Sequence, residues 1–572
     1  MSPRAGLESA PDLPREGIIL SDSNDFTSGV QPPRVVDDVE ALDWRGEADV
    51  VIIGFGGAGA AAGLEARAGG ATVLAIDRFN GGGATAYSGG VVYAGATRFQ
   101  REAGYDDTSD EMFKYLDHEG TAVRPETLRR FCDTSNENIE WVAGHGVRFE
   151  GSLYAERTAY PPDGYYLYFT GMESFYPEVA RVAPRGHRTV GKGPTGKYYW
   201  AAMQAAAMAS GIVLKRHSPV RRLLVDRAGR VVGVECQTIP ERYWDKHDAL
   251  YKKVDPYRPF GGAQAEKAIA ECRALESSIP RETALYRAHR GVIIAAGNYT
   301  YNLELLGRYR PEFAHCYREM NRGGSMGCDG SGLELGLSAG GHLANMDAVA
   351  LMRSVSPPRE YVKGILVNAR GERYINEDAY LGHIGIATAD QPDYASWLIL
   401  DSKTFWAGIR QLLPPKEMFS WWGMPAWLNI LLGGVRRGRS IEALARKCGI
   451  PPETLKASVE TYNDGVARGA DPWRKKPENL RALGGGAWFA LDLSFRNKWS
   501  FSSGMPFGGL KVDEDTGAVI REDGGLIPGL FACGRSAVGM STKTTFSGLS
   551  IADTIFSGRR AAKSAALGQT PA

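Results

Sequence analysis

The chain has 572 residues and a mass of 62.0 kDa, a length that calls for more than one domain. Lys and Arg number 67 against 66 Asp and Glu, a net charge of +1, which excludes the basic field that a nucleic-acid partner needs. A charged fraction of 23% beside 43% hydrophobic residues excludes wholesale disorder, and glycine, at 71 residues against a usual ~7%, says that backbone approaches something closely at many points.

The first 44 residues, rich in Pro, Asp and Ser, read as an N-terminal arm. Charges run through their beginning and no apolar stretch interrupts them, so no secretory signal is expected. A β-branched run over 48–53 leads straight into Gly54, Gly56 and Gly59, then an alanine-rich stretch over 60–69, then a second apolar run over 71–76 closed by Asp77. This is the pattern strand, glycine turn, helix, strand. Residues 108–146 have a polar helical pattern, and 152–200 are loop-like and crowded with Tyr, Pro and Gly. A helix near 197–210 precedes three short strands, 212–216, 220–226 and 231–236. A hydrophilic insertion over 237–290 carries one helix near 263–276 and is followed by a strand over 291–297. Residues 331–499 mix helix and loop. The chain then closes on a strand over 529–534 and a helix from about 548 to 566. The seven cysteines (Cys132, Cys236, Cys272, Cys316, Cys328, Cys448 and Cys533) are odd in number and never spaced C-x-x-C. That argues for a reducing, cytoplasmic location and against a disulfide framework or a cysteine metal site; no metal is expected.

Residues 418–435 carry no charge and include Trp421, Trp422 and Trp427. Gly423, Pro425, Asn429, Gly433 and Gly434 interrupt the run, and 18 residues is a marginal length for crossing a ~30 Å hydrocarbon core. A buried, aromatic-lined piece of a substrate domain is the first expectation. A weak, peripheral membrane contact over 418–437 that admits a greasy substrate is the second.

Gly54, Gly56 and Gly59 fit G-x-G-x-x-G: the first makes the tight turn, the second lets backbone reach a pyrophosphate, the third lets helix and strand pack closely. The helix start at Gly57 and Ala58 offers free N–H groups to phosphate. Asp77 stands 23 residues after Gly54, where a carboxylate accepts ribose hydroxyls. A second glycine segment, 81–90, follows at once. Backbone there can lie along a pyrophosphate and a flavin ring, a need that an NAD site does not have.

With these segments, three more complete a resemblance: Val292-Ile-Ile-Ala-Ala-Gly-Asn298, the stretch 365–377 ending in Asn376-Glu377, and Ile527-Pro-Gly-Leu-Phe-Ala-Cys-Gly534 with 547–553. The chain resembles the FAD-dependent fumarate reductase and 3-ketosteroid dehydrogenase superfamily over about 47–566, and its wording is closest to the 3-ketosteroid Δ4-(5α)-dehydrogenase type. The resemblance implies an α/β fold (α+β overall), with a discontinuous Rossmann-like FAD-binding domain, 45–330 and 500–572, and an inserted substrate (capping) domain, 331–499. It implies FAD contacts from Gly54, Gly56, Gly57, Ala58, Gly59, Asp77, Arg78, Gly83, Ala84, Thr85, Ser88, Gly89, Gly90, Val220, Ala296, Gly297, Gly534, Ser550 and Ile551. Members with covalent flavin place a histidine in the second glycine segment. Ala86 and Tyr87 stand there, so FAD is expected to be non-covalent.

The dicarboxylate branch follows Asn-Glu with an arginine and precedes the last helix with a His/Asn-Arg cluster. Here 378–383 contain no arginine and the later stretch has only Lys543, so the clamp that a diacid requires is missing. The ketosteroid branch places a tyrosine after Asn-Glu, and Tyr380 stands there; a Tyr-x-Ser-Gly motif before the last helix appears as Thr545-Phe-Ser547-Gly548. The expected function is therefore a CH–CH oxidoreductase that dehydrogenates a 3-ketosteroid beside its ketone, with catalytic Tyr380 and Ser547. The alpha proton passes to Tyr380 and the beta hydride to flavin N5. The threonine at 545 departs from the motif and leaves the ring bond and the direction of flow open. Alternatives are a flavin-dependent reductase of an enone or dicarboxylate, and a non-redox flavin isomerase or hydratase. The partners expected are a lipophilic steroid ketone and an electron acceptor of unspecified kind. Tyr165, Tyr166, Tyr168 and Phe169 are candidates for a lipophilic pocket or for packing, His187 and Arg188 for a hydrogen-bond network or substrate contact, and His383 for a core or surface position rather than a proton donor. Tyr87 would gate the pocket.

Overall fold

The protein was analysed as a computed structural model that describes residues 26–568 except 157, 259, 260, 414–422, 543 and 545. Its largest element is a nine-stranded sheet. The strand Trp44–Ile53 lies at its heart, with Val50 to Ile53 buried on both faces as a β-branched run demands. Parallel to it on one side runs Val73–Ile76 and then Val213–Lys215; on the other runs Glu282–Ile294, itself parallel to Leu526–Ala532. Val231–Thr238 and Val220–Asp226 continue the sheet antiparallel. Within the arm, Arg34–Val36 adds an edge strand parallel to Val220–Asp226.

The glycine turn feeds the helix Gly57–Ala68, which packs against the sheet and against the C-terminal helix Leu549–Leu567. Small residues make this approach possible. A Cβ on Gly59 would meet the Gly54 carbonyl oxygen at 2.1 Å, and one on Gly558 would meet the Ala58 carbonyl at 2.8 Å. The four parallel strands that end at Ile53, Ile76, Ile294 and Ala532 all release their chain toward one side, into Gly54, Asp77, Ala295 and Cys533. In open α/β sheets that carboxyl edge is where ligands bind.

A separate four-stranded sheet, Ile365–Val367, Trp397–Asp401, Trp488–Asp492 and Val435–Gly438, is antiparallel throughout and covered by the helices Ile441–Cys448 and Pro452–Ala467. Between the two sheets a short ladder pairs Val349–Arg353 with Ser502–Pro506.

The strand expected from 291 begins at Glu282, so the insertion is shorter than expected. Its first half alternates buried Ala284, Tyr286 and Ala288 with exposed or half-exposed neighbours; charged residues on the wet face hide the period of two. The insertion also holds a second helix, Trp244–Tyr251. Among the described residues no helix is long and apolar enough to cross a membrane. Of the uncharged run, 418–422 lie outside the described residues; 423–431 form the helix Gly423–Leu431, with Pro425 and Asn429 buried and Leu431 exposed, as is Leu432 just after it, and Val435 begins the strand Val435–Gly438.

Candidate active site

At the carboxyl edge of the large sheet opens a cavity of about 360 Å³. Its floor is the glycine turn. Gly54 has φ +93°, and a Cβ there would sit 2.6 Å from the Ala295 carbonyl oxygen, so only glycine lets the two strand ends converge. Gly56 bridges to Gly82, and a Cβ on Gly83 would meet nothing nearer than the Gly56 Cα at 3.7 Å. The Gly82 N–H donates to the Phe55 carbonyl at 2.8 Å, so the two glycine segments lie edge to edge and present a wall of backbone to the cavity.

Two helix N-termini open on the cavity. The helix Gly57–Ala68 has no side-chain cap at Gly56, and the helix Leu549–Leu567 has none at Gly548, where φ is +96°. Ala58, Ser550 and Ile551 line the cavity at these ends. The Gly57 N–H donates to the Thr85 Oγ at 3.2 Å; the N–H groups that follow it and the positive end of each helix dipole await an anion or a polarised carbonyl. Backbone wall and paired helix ends together fit a dinucleotide carrying a flavin.

Of the residues expected to meet the cofactor, all but Gly59 and Gly534 line the cavity. These two act from behind. Gly59 spaces helix from strand, and a Cβ on Gly534, at φ +57°, would lie 2.6 Å from that of Ala58. Asp77 accepts backbone N–H groups from Phe55 and Phe79, both at 2.8 Å, which fixes its carboxylate at the strand end. Arg78 reaches the wall, but its guanidinium is committed to Glu276 at 2.7 Å and Asp329 at 2.6 Å. Arg221 holds the other Glu276 oxygen at 3.0 Å. Burial raises the Glu276 pKa, and Arg78, His247 and Arg221 more than reverse this, so it stays ionised well below the usual carboxylate range. His247, Cys272 and Glu276 could reach a common metal ion by distance, yet two guanidiniums already neutralise that carboxylate.

At the opposite end of the cavity stand Tyr380 and Ser547. Their hydroxyls are hydrogen-bonded at 2.7 Å. Tyr380 is the residue before the helix Leu381–Ala389, and Ser547 lies just before the C-terminal helix, so residues 167 apart in sequence are joined. Three residues upstream of Tyr380, Glu377 accepts from the Leu366 amide at 2.7 Å and from Arg373 at 2.7 Å and 2.9 Å, and pairs with Lys475 at 2.8 Å. This buried knot fixes the turn that delivers the tyrosine. The same lining includes the uncharged Met352, Leu381, Phe501, Ser503 and Met505. Thr545 and Lys543 lie outside the described residues.

Of the two readings of the aromatic run, packing rather than pocket lining holds. Tyr165, Tyr166, Tyr168 and Phe169 do not line the cavity; Tyr160 of the same loop does. Tyr165 faces solvent. Tyr166 lies under the Arg188 guanidinium, and Tyr168 and Phe169 are buried. Burial and the neighbouring Tyr380 push the Tyr168 phenol well up, against Ser547. His187 and Arg188 are structural. His187 joins the Arg185 carbonyl at 3.0 Å and the Thr97 hydroxyl at 2.8 Å, and Arg188 ties down the carbonyls of Pro161, Pro162 and Gly193. His383 pairs with Glu119 at 3.0 Å, away from the cavity lining. Tyr87 does line the cavity, 5.9 Å from the Tyr251 ring, and burial with Asp255 pushes its phenol up to about 12.

Sequence reasoning missed Tyr251 and Tyr257, which the insertion contributes to the wall, and Arg535. Arg535 donates its Nε–H to the Ser550 Oγ at 2.9 Å and lies over the Phe507 ring. Burial lowers its pKa to about 10, opposed by Asp553. Its place directly after Gly534 was the one available signal.

The FAD binding domain family matches residues 49–551. The 3-oxo-5-alpha-steroid 4-dehydrogenase of Comamonas testosteroni is 34% identical over 543 residues, covering 90% of this chain and 98% of that protein. The crystal structure of 3-ketosteroid-delta4-(5alpha)-dehydrogenase from Rhodococcus jostii RHA1, in complex with 4-androstene-3,17-dione, superposes with a TM-score of 0.77 at 30% identity, over 94% of this chain and 100% of that one. A fumarate reductase (cytochrome) of Shewanella frigidimarina is more distant, 24% identical over 91% of this chain and 77% of its own length.

Proposed function

The chain belongs to the FAD binding domain family and is an FAD-dependent oxidoreductase, and from that premise we propose that it dehydrogenates a flat 3-ketosteroid at the carbons next to the ketone. The observation that carries this is the 2.7 Å contact between the Tyr380 and Ser547 hydroxyls in the wall of the cofactor cavity. Bound FAD supplies a two-electron acceptor for the hydride that leaves the beta carbon. The alpha proton goes to the Tyr380 oxygen, and Ser547 holds that phenol in place and passes the proton on. A diacid would need fixed cations at this end of the cavity. Arg535, on the Ser550 hydroxyl and over the Phe507 ring, brings one cation to this lining, where a diacid needs a clamp on both carboxylates, which disfavours the fumarate-like alternative.

The cofactor roles follow the cavity. Gly54, Gly56, Gly57 and Ala58 with Gly83, Ala84 and Thr85 take the pyrophosphate; Asp77 and Val220 take the ribose and adenine end. Ser88, Gly89, Gly90, Ala296, Gly297, Ser550 and Ile551 border the ring, with Gly59 and Gly534 setting the spacing. FAD is held without a covalent bond. We assign 45–330 with 500–572 to the FAD-binding domain and 331–499 to the substrate domain; the separate four-stranded sheet lies wholly within the latter range. A cytoplasmic protein accords with its seven free cysteines, and Leu431 and Leu432 beside Arg436 and Arg437 offer a weak membrane-surface contact.

The test is anaerobic. The purified protein should be yellow, and a 3-ketosteroid should bleach its flavin band, with turnover restored by an artificial electron acceptor. Reduced dye with fumarate should show no reoxidation. Persistence of the oxidised band with every steroid ketone tried, or rapid dye reoxidation by fumarate, would overturn the proposal.

A further inference from the structure

Among the described residues three cations line the cavity, Arg78, Arg221 and Arg535, and they differ in what they hold. Arg78 and Arg221 are paired with Glu276. Arg535 has no carboxylate. Its Nε–H donates to the Ser550 Oγ at 2.9 Å, and its guanidinium carbon lies 4.3 Å from the centre of the Phe507 ring. Its two terminal nitrogens have no hydrogen-bond partner among the described residues, yet they are not sealed off as the orphaned nitrogens of Arg185 and Arg322 are. What surface they keep is in the cavity wall.

The protein behind Arg535 is short of negative charge. Asp553, buried in the C-terminal helix, faces both Arg535 and Arg560. Burial raises the Asp553 pKa and lowers those of the two arginines, so one carboxylate serves two cations. The helix Leu549–Leu567 adds the positive end of its dipole, because no side chain caps it at Gly548 and the hydroxyl of Ser550, its second residue, is taken by Arg535. A buried cation left without a counter-charge is costly. Positive groups that converge on one stretch of a cavity wall suit a negative charge that develops there during the reaction.

The ring of oxidised FAD is neutral. Hydride transfer breaks the beta C–H bond of the substrate and forms N5–H; the electron pair leaves one negative charge on the N1 and C2-oxygen edge of the ring, while the alpha proton departs separately to Tyr380. We propose that Arg535 is the counter-charge for this reduced ring: it binds the anionic edge more tightly than the neutral one, raises the flavin potential, and so directs electrons from the saturated ketone to FAD rather than back. This rests on the function proposed above, in which Ser550 and Ile551 border the ring, and adds to it the direction of flow.

The test is the two-electron midpoint potential of the bound flavin, equilibrated with a reference dye in the absence of steroid. In Arg535→Gln the equilibrium constant for reduction should fall about tenfold to hundredfold, which at ~30 mV per factor of ten is ~30–60 mV. Arg535→Lys, which keeps the charge, should recover most of it. Oxidised FAD should be retained with a Kd within about threefold of the parent's, because the oxidised ring is neutral; a merely structural arginine would give the opposite, weaker FAD at an unchanged potential. Ser550→Ala frees the Nε–H and should lower the potential by a smaller step, which keeps the question open to measurement if the glutamine variant does not hold FAD. An unchanged potential in Arg535→Gln or, where that variant is empty, in Ser550→Ala would overturn the counter-charge. So would slowed steroid oxidation at an unchanged potential, which would place the guanidinium on the ketone. Because no steroid enters the potential measurement, its failure leaves the dehydrogenase reading standing, and a parent flavin that no steroid ketone bleaches would overturn that reading alone.

Discussion

Replacing Tyr380 by phenylalanine removes one oxygen from a side chain that is 3% exposed and leaves its packing in place. Two costs can be separated. The hydrogen bond to Ser547, 2.7 Å long, is between neutral hydroxyls and contributes ~1 kcal/mol, so steroid binding should change by less than about tenfold. Loss of a positioned proton acceptor should slow flavin reduction by about 10²–10⁴, or ~3–5 kcal/mol of barrier. The assay is stopped-flow reduction of the bound flavin under anaerobic saturation with a 3-ketosteroid, where release of product plays no part. Ser547→Ala, and the double variant, complete a cycle. If the two hydroxyls form one relay, the double variant should be no slower than the slower single one; independent roles would multiply. A reduction rate within about threefold of the parent, against the expected factor, would remove Tyr380 from the chemistry.

Gly534→Ala should weaken FAD retention roughly tenfold, the equivalent of ~1–2 kcal/mol of overpacking, because the new methyl meets Ala58 at 2.6 Å; flavin fluorescence during dilution measures it, and unchanged retention would refute it. Glu276→Gln leaves Arg221 without its carboxylate and Arg78 with Asp329 alone and should cost ~3 kcal/mol, read as a lowered unfolding midpoint; a loss below ~1 kcal/mol would show that the network is not stabilising as drawn. Burial holds His187 down at about 4 against an ordinary 6.5. The unfolded chain therefore takes up a proton there that the folded chain refuses. Stability from this residue is whole above pH 6.5 and is lost as pH falls toward 4, by up to ~3 kcal/mol. Proton uptake on unfolding at pH 5 should exceed that of His187→Gln by about one; equal uptake would contradict it. Replacing Leu431 and Leu432 by aspartate should abolish co-sedimentation with anionic vesicles, and a parent that does not sediment with them ends the membrane-contact proposal.

The cofactor end of the site was legible because it is built from backbone. Where a phosphate must approach a strand end, glycine has no substitute, and Gly54, Gly56, Gly83 and Gly297 announce themselves at fixed offsets from β-branched runs. The substrate end is built from side chains that many residues could replace. Met352, Phe501 and Met505 carry no pattern that distinguishes them from core, and they come from two strands about 150 residues apart. Tyr251 and Tyr257 were hidden for a different reason. Their insertion is mostly polar outside, and its inner face shows only when packed against Phe79, at 4.5 Å from Tyr251. The tyrosine run at 165–168 left lining and packing open because aromatic density alone does not say which ring faces a cavity; Arg188 draws Tyr166 beneath it.

Charge near the reacting end makes the same point about selectivity. Arg373 and Lys475 lie close to Tyr380 in sequence or in space, and a count of cations would make a diacid site plausible. Both are spent. Arg373 binds Glu377 through two nitrogens and also pairs with Asp471, and Lys475 closes the knot on Glu377. Burial raises the Glu377 pKa while Lys475 and Arg373 pull it below the ordinary carboxylate value, so the knot is ionised and internally neutralised. An incoming carboxylate would have to break one of these pairs and leave a buried charge alone, at several kcal/mol. Arg535, held on the Ser550 hydroxyl and the Phe507 ring, leaves one unpaired cation in the lining rather than a clamp for two carboxylates; a ketone needs only a donor and a proton acceptor, and the cavity presents hydroxyls. The discrimination thus lies in how the cations are paired, which residue types alone do not reveal.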